Sequence, residues 1–324
     1  MQALLTLTAV GALVASATVH AQATASPYPD KPIRFIVPVT AGGGVDTAAR
    51  LIANQLKERL GQPVIVENKP GAGGSIGLRQ LALSSPDGYT LAFVPNSFTI
   101  NHSLMRNLPF DTFTSFAPVI QIAKTPVFVA ARSDLGAASL QEVIAQAKKR
   151  PNGFSYAACD TGSALHLSAE FLQQATGIHI NHIPFKGCAD SVPNVLGKQV
   201  DLLFISYSNI QGHLESGRLK PLVVAAPQRV SYAPGIPTGA EQGVAGFDME
   251  VWYGVLAPVK TPPAILNRLN QAFNDVLDDP QVQKGLEKSF LRVSGGSAQD
   301  FAQIIRNDVT RYAQVVEKAG IRID

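Results

Sequence analysis

Glycine-rich turns carry the residues of this chain that could do chemistry. The first is Gly42-Gly43-Gly44-Val45-Asp46, which follows an apolar segment and precedes a helical pattern. Glycines let the backbone approach a ligand closely, and the first N–H groups of a helix attract anions. A nucleotide loop is not indicated, because Thr47 stands where G-x-G-x-x-G needs a glycine and no G-x-x-x-x-G-K-[ST] occurs. The turn predicts an anion site, with a plain tight turn as the alternative.

A second glycine-rich stretch, Gly73-Gly74-Ser75-Ile76-Gly77, matches the G-x-S-x-G pattern of serine hydrolases. In those enzymes the serine lies on a sharp turn directly after a strand. Residues 69–72 separate the predicted strand from this motif, which favours a glycine-rich loop before a helix. A secreted serine hydrolase using Ser75 is therefore the alternative function.

The remaining reactive side chains form no recognisable centre. Asp160-Thr161-Gly162 matches the triplet of aspartic proteases, but those enzymes need two such carboxylates and the sequence has one triplet. His179 and His182 lie three apart on a predicted strand and so face opposite sides, and His166 is interpreted as a packed or hydrogen-bonded histidine. No Cys/His spacing fits zinc, and we expect neither a metal nor a cofactor.

Composition narrows the function classes further. The chain has 324 residues, of which 46% are apolar and 16% charged, against about 25% charged in ordinary soluble domains. Its 27 Lys+Arg and 24 Asp+Glu give a net charge of +3, and no run of five like charges occurs. This excludes a disordered chain and argues against a nucleic-acid binder or a polybasic membrane anchor.

Charge is missing from the start of the chain. No Asp, Glu, Lys or Arg precedes Asp30, and residues 3–19 form a small apolar run followed by possible cuts after Ala21 or Ala23. We interpret residues 1–23 as a secretory signal peptide, although the usual basic segment at its start is absent. An N-terminal anchor and a disordered leader remain alternatives.

From Pro32 onward, apolar runs alternate with helical periodicity, which predicts an α/β protein. The predicted strands are 33–39, 64–67, 90–94, 127–131, 154–158, 180–185, 202–206, 222–226 and 250–256. Asp46 is expected to cap the first helix and Gly61 to end it, and Ser297 with Asp300 predicts a capping box at the last helix. The strand, glycine turn and helix recur near Thr161, which suggests two lobes facing one cleft.

Several ordered motifs together resemble one known family, the Bug receptors, which are the extracytoplasmic solute-binding proteins of tripartite tricarboxylate transporters. The motifs are YPDKPIR at 28–34, VPVTAGGGVD at 37–46, VENKPGAGG at 66–74, PDGYTL at 86–91, FAPV at 116–119, His166-Leu167 with Glu170, HIPFKG at 182–187, Pro237-Thr238 with Glu241, and Trp252-Tyr253-Gly254 followed by Ala257-Pro258. The resemblance covers essentially the whole chain after the leader.

The resemblance implies a periplasmic, type II-like Venus flytrap without enzymatic activity, in which each lobe is a mostly parallel sheet flanked by helices. Lobe 1 would comprise 27–126 and 250–324, and lobe 2 would comprise 127–249. The implied ligand is a small organic anion with a carboxylate, and the implied partner is a membrane permease that receives it from a monomeric receptor. The implied binding residues are Thr40, Ala41, Gly42, Gly43, Asp46, Asn96, Cys159, Asp160, Thr161, Gly162, Ser163 and Ile205.

Three departures from the family pattern bear on specificity. Asp160 stands where the family has glycine, Ile205 where it often has Asp, and Cys188 where it has a small residue. An ionised Asp160 facing the cleft would disfavour a second ligand carboxylate and suit an amine, and Ile205 would make its wall more apolar.

The two cysteines of the chain could form one disulfide or remain free thiols. Cys159 and Cys188 each follow the end of a neighbouring predicted strand. Adjacent parallel strands lie about 4.8 Å apart, within the reach of a disulfide. We expect a bond that ties two cleft loops together.

Overall fold

The computed structural model describes residues 28–159, 161–185 and 187–323. The predicted signal peptide, residues 1–23, lies outside the described residues, as do Asp160 and Lys186. Among the helices of the described ranges, none has the length and apolar character needed to cross a membrane.

Strands and helices alternate along most of the chain. The strands are β1 (Ile33–Val37), β2 (Val64–Asn68), β3 (Thr90–Pro95), β4 (Phe116–Arg132), β5 (Ser155–Ala157), β6 (Asn181–Ile183), β7 (Leu202–Ile205), β8 (Leu219–Ala225), β9 (Glu250–Pro258) and β10 (Arg292–Val293). The helices are α1 (Gly44–Leu60), α2 (Ser75–Ala82), α3 (Ser97–Leu104), α4 (Leu140–Lys149), α5 (Ala164–Thr176), α6 (Cys188–Leu196), α7 (Gln211–Glu215), α8 (Pro263–Leu277), α9 (Pro280–Glu287) and α10 (Ala298–Ala319).

The strands form one mixed sheet in the order β2-β1-β3-β9-β4-β7-β5-β6, and β8 and β10 also pair with β4. β1 is parallel to β2 and β3, and β5 is parallel to β6 and β7. β9 runs antiparallel to β3 and β4, and β4 runs antiparallel to β7 and β8. The predicted α/β class is confirmed, and the sheet is more mixed than expected because two antiparallel strands join its parallel groups.

β4 is a 17-residue strand that changes partners along its length. Residues 116–126 pair with β9, whereas residues 127–132 pair with β7 and β8. Pro126, which has no N–H to donate to a ladder, stands at the change, and the N–H of Val127 donates to the carbonyl of Met249 at 3.0 Å. The sequence predicted only residues 127–131 of this strand. Proline is disfavoured within strands, and the part that the prediction omits contains Pro118 and Pro126.

Each side of this change has its own apolar core. Phe35, Phe93 and Phe273 lie in one buried cluster, and Phe128, Tyr156 and Phe204 lie in another. β3 and β7 are buried on both faces, as strands covered by helices on both sides must be. The apolar runs of the sequence are therefore the central strands of two packed halves.

The helix ends mostly follow the sequence signals. Gly61 ends α1 in the left-handed conformation, and Ser297 with Asp300 forms the expected capping box of α10. The predicted cap of α1 was wrong: the helix begins at Gly44 with Gly43 as its cap, and Asp46 is the third helical residue. Its carboxylate is engaged by the preceding loop instead.

α10 packs against α3 and α5, so that it contacts both halves of the molecule. Trp252 is buried beneath it, with its ring edge-on to Phe301 at 5.1 Å. The indole Nε1–H donates to Oδ2 of Asp308 at 2.6 Å. Trp252 is therefore a packed residue of β9 and does not line an open surface.

We expect stability to depend on the Asp308 carboxyl. Burial raises its pKa to about 6, and Glu250 adds to this, although Trp252 and Arg311 favour the charged form. The folded state then holds this proton more tightly than the unfolded state, so that stability falls as pH rises from about 4 through about 6. Asp308→Asn keeps an acceptor for the indole and cannot ionise. It should raise the free energy of unfolding by about 1–3 kcal/mol at pH 7.5 and change it little at pH 4.5.

Urea unfolding at the two pH values measures this effect. The control is Asp278→Asn, at the exposed C-terminal end of α8. An equal effect of Asp308→Asn at both pH values would contradict the expectation.

Candidate functional site

The loop after β1 places backbone groups at the start of α1. Residues 40–44 are exposed, and Gly42 has a φ of +88°, a conformation that favours glycine. The first N–H groups of a helix have no intrahelical acceptor, and the helix dipole makes this end positive. The predicted residues Thr40, Ala41, Gly42 and Gly43 therefore lie together on an exposed loop that can receive an anion.

Asp46 lies behind this loop, not on its exposed surface. Its side chain is buried, and its carboxylate accepts the N–H of Gly42 at 2.9 Å, Nε of Arg50 at 3.1 Å and Nδ2 of Asn68 at 2.9 Å. Burial opposes ionisation of this carboxyl, but the bonds from Arg50, Gly42 and Asn68 outweigh burial and lower its pKa. The ionised Asp46 holds the loop in shape, and Arg50 offsets its charge.

Asn68 and Arg50 complete this support, and the sequence reasoning assigned them no role. Nδ2 of Asn68 also donates to the carbonyl of Val39 at 3.1 Å, and Arg50 donates to Oδ1 of Asn68 at 2.9 Å. The spacing of Arg50, four residues after Asp46, was a signal that could have identified it. Asn68 ends a different strand, so that only the fold brings it here.

The loop after β5 is the counterpart in the other half. Cys159 is buried, Thr161 is exposed, and Gly162 has a φ of +79°. Ser163 caps α5 by accepting the N–H of His166. Asp160 lies outside the described residues. The sulfur atoms of Cys159 and Cys188 are bonded, and the N–H of Gly187 donates to the carbonyl of Cys159, so that this loop is tied to the start of α6.

His166 lies beneath this second loop. Its Nδ1 accepts the N–H of Gly162 at 3.0 Å, and therefore the ring proton is on Nε2, which lies 3.7 Å from Oε1 of Glu170. The ring stacks on His182 at 4.1 Å. Burial, together with His182, lowers the pKa of His166 to about 3. The interpretation of His166 as a packed, hydrogen-bonded histidine agrees with this geometry.

Two predicted site residues lie inside the protein. Asn96 is buried after β3, and its Nδ2 donates to the carbonyl of Glu250 at 2.9 Å and to the hydroxyl of Tyr312 at 3.1 Å. Ile205 ends β7 with 0% of its surface exposed. In this conformation Asn96 connects β3 with β9 and α10, and the side chain of Ile205 belongs to the core.

The second loop also touches the other half of the molecule. A Cβ added to Gly162 would lie 2.6 Å from Leu104 at the end of α3 and 2.5 Å from Ile323. The N–H of Ile323 donates to the carbonyl of Leu104 at 3.2 Å. The segment after α10 thus reaches both the end of α3 and the second glycine turn, and Gly162 has no room for a side chain.

The hydrolase alternative has no geometric support. Ser75 is buried, and it follows the short helical turn Ala72–Gly74 instead of a strand. The described parts of the chain also contain no group of three His, Cys, Asp or Glu side chains that could hold a metal ion.

Comparison with known proteins gives the family. A sequence model of the tripartite tricarboxylate transporter family receptor, TctC, matches residues 48–321. The chain belongs to this family. Members are periplasmic solute-binding receptors and not enzymes, which confirms the family resemblance and the receptor interpretation over the hydrolase.

Individual relatives extend over nearly the whole chain. Protein BugT of Bordetella pertussis is 34% identical over 319 residues, which cover 98% of each chain. The structure of the periplasmic binding protein BugD is 33% identical, with a TM-score of 0.77 and coverage of 91% of this chain and 99% of BugD. The structure of Rpa4515 of R. palustris with adipate is 31% identical, with a TM-score of 0.81 and coverage of 91% and 99%.

We expect the Cys159–Cys188 bond to stabilise the second loop. The bond joins residues with a sequence separation of 29. For a loop of this length, the lost chain entropy of the unfolded state predicts a stabilisation of about 3–4 kcal/mol. Dithiothreitol should therefore lower the free energy of unfolding of the native protein by about this amount, and it should not affect the double variant Cys159→Ala/Cys188→Ala. Two alkylatable thiols in the unfolded, unreduced protein would contradict the bond.

Proposed function

We propose that this protein is a periplasmic receptor that holds a small carboxylate ligand between its two glycine turns. The turn around Gly42 belongs to the lobe expected for 27–126 with 250–324, and the turn around Gly162 belongs to the lobe expected for 127–249. Closure of the lobes on the ligand is part of the proposal. The proposed binding groups lie on the two turns, at Thr40, Ala41, Gly42 and Gly43 and at residues 159–163, with Asp46 acting from behind the first turn. Asn96 and Ile205 are left out of the site, because both side chains are buried in this conformation.

One observation carries the proposal. In each half of the molecule a glycine with positive φ immediately precedes the capping residue of a helix, and a buried side chain accepts the N–H of that glycine. The shape of both turns is thus maintained without a ligand, while the next N–H groups stand at a positive helix end. The similar protein Rpa4515 binds adipate, and a carboxylate group is the kind of anion that a helix N-terminus suits.

Backbone groups can supply enough free energy for this task. A hydrogen bond to a charged group is worth about 1.5–3 kcal/mol, and a helix N-terminus adds about 0.3–2 kcal/mol for an anion. A few such bonds and two helix ends can offset the desolvation of a carboxylate. Binding through backbone groups needs no dedicated basic side chain, which agrees with the low content of charged residues, 16% of the chain.

The receptor is proposed to be a monomer that delivers its ligand to a membrane permease. Membership in a tripartite transporter family supports the permease as the partner. The proposed signal peptide would be removed on secretion by a cut after Ala21 or Ala23, and mass analysis of the secreted protein checks this. A mature chain that begins at Gln22 or Thr24 agrees with the proposed cleavage, and retention of residues 1–21 argues against it.

The ligand class is tested first on the purified native protein. Native mass spectrometry detects any small acid that co-purifies, and titration calorimetry follows with adipate, malate, citrate, benzoate and glutamate. Tight one-to-one binding of at least one of these acids is expected. Binding of none of them would contradict the proposed function, and tight binding of citrate would contradict the repulsion expected from Asp160.

The role of the first turn is tested at Gly44, the first residue of α1. Proline is well tolerated at this helical position, and the residue before it, Gly43, is already extended with φ −80° and ψ 171°. Gly44→Pro removes one N–H and keeps the helix. It should raise the dissociation constant of the bound acid by roughly 10- to 100-fold.

Gly44→Ala is the matched control, because either substitution places a Cβ 3.3 Å from the hydroxyl of Tyr253. The alanine variant measures the steric effect, and the difference between the two variants measures the N–H. Equal dissociation constants for the two variants would show that this N–H does not contact the ligand.

A further inference from the structure

The two glycine turns share one hydrogen-bonding pattern. In the first turn, the N–H of Gly42 donates to the side chain of Asp46, and in the second the N–H of Gly162 donates to the side chain of His166, four residues later in each case. Asp46 is the third residue of α1, and His166 is the third residue of α5. Two unrelated side chains therefore occupy equivalent positions and accept the equivalent N–H.

The next helical turn carries an ionisable partner of each acceptor, with opposite chemistry in the two halves. Arg50 follows Asp46 by four residues and donates to it at 3.1 Å, whereas Glu170 follows His166 by four residues and lies 3.7 Å from it. An acidic acceptor has a basic partner in one half, and a basic acceptor has an acidic partner in the other. The order of acid and base is inverted between the turns.

The groups around His166 favour its neutral form. His182 on β6 and Tyr156 on β5 stack on it at 4.1 Å and 6.2 Å, and Glu170 on α5 accepts from Tyr156 at 2.5 Å. Burial lowers the pKa of both histidines and raises that of Glu170, although bonds from Tyr156 and Gln173 favour the charged carboxylate. Uncharged imidazole rings therefore lie beneath the second turn.

This asymmetry has an electrostatic reason if an anion binds at the turns. The Asp46 carboxylate is close to the first turn, but Arg50 balances it. At the second turn the residue that corresponds to Arg50 is Glu170, so a carboxylate at position 166 would add a second acidic group near the ligand. A neutral acceptor can hold the N–H of Gly162 without repelling the anion.

We propose that Asp46 and His166 are matched positioning residues that hold the two turns for a ligand carboxylate, and that the second turn requires an uncharged acceptor at position 166. This inference rests on the proposed function for its ligand and on the structure alone for its hydrogen bonds. It predicts that loss of the acceptor atom weakens both the Gly162 hydrogen bond and ligand binding, whereas a negative charge on the acceptor weakens ligand binding alone.

Three substitutions of His166 separate these effects. His166→Asn places a neutral oxygen near the position of Nδ1, His166→Leu removes the acceptor, and His166→Asp provides an acceptor that can ionise. His179→Asn, at an exposed histidine outside the strands, controls for loss of a histidine. Hydrogen exchange of the Gly162 amide in the ligand-free protein reports on the hydrogen bond, and calorimetry with adipate reports on binding.

In His166→Asn, the exchange rate of the Gly162 amide and the dissociation constant for adipate should both stay within about threefold of the native values, because asparagine keeps a neutral acceptor. In His166→Leu the Gly162 amide should exchange roughly tenfold faster or more, and adipate should bind roughly tenfold more weakly, because a buried donor loses its partner. In His166→Asp the exchange should remain slow, while adipate binding weakens about tenfold or more at pH 7.5. Relative to the native protein at the same pH, that loss should shrink at pH 5, because a buried carboxyl takes up a proton.

Each result bears on a separate statement. Unchanged exchange and binding in His166→Leu would overturn the positioning role, and equal adipate binding by the Asp and Asn variants at pH 7.5 would overturn the need for a neutral acceptor. If His166→Leu does not fold, the comparison of the Asn and Asp variants still decides the second statement. A native protein that binds no acid refutes the proposed function, while exchange at Gly162 still tests the hydrogen bond.

Discussion

Both parallel groups of the sheet are connected through one strand, β4, which pairs with β9 along its first part and with β7 and β8 along its second part. Because the change occurs between neighbouring residues, Pro126 and Val127, no loop separates the two halves at this point of the chain. The chain crosses between the halves twice, at residues 126–127 in β4 and at residues 249–250 at the start of β9. The two crossings lie side by side, since the N–H of Val127 donates to the carbonyl of Met249. The relative position of the two glycine turns therefore depends on this pair of crossings.

Buried polar contacts reinforce the crossings from one side. Asn96 at the end of β3 donates to the carbonyl of Glu250 and to the hydroxyl of Tyr312, which belongs to α10. The same helix carries Asp308, the acceptor of the Trp252 indole. Since α10 packs against both α3 and α5, these bonds connect the crossing region with helices from each half. They explain why Asn96, which the family resemblance implied as a binding residue, lies in the interior together with Trp252.

The sequence was most informative where a local signal has a local cause. Gly61 ends α1 because a left-handed residue suits glycine, and Ser297 with Asp300 caps α10 through bonds within three residues. The apolar runs predicted buried strands because such strands expose neither face. The sequence was less informative for β4, whose prolines resemble strand ends, and for Asp46, whose type suits a helix cap but whose carboxylate accepts the N–H of Gly42. Pairing with distant strands decides the extent of β4, and the hydrogen bonds among Asp46, Arg50 and Asn68 decide the position of the Asp46 carboxylate.

The sequence by itself determined the α/β class, the receptor family and the two glycine turns, since these follow from periodicity and from short motifs whose residues are adjacent in the chain. Tertiary structure alone decided which side chains hold those turns. Asn68 reaches Asp46 from β2, and His182 reaches His166 from β6, over separations that no local pattern encodes. Burial then sets the charge of each acceptor: arginine and amide donors keep Asp46 ionised, whereas a dry stack of rings keeps His166 neutral. The physical reason is that ionisation depends on solvent and neighbours, and the fold supplies both.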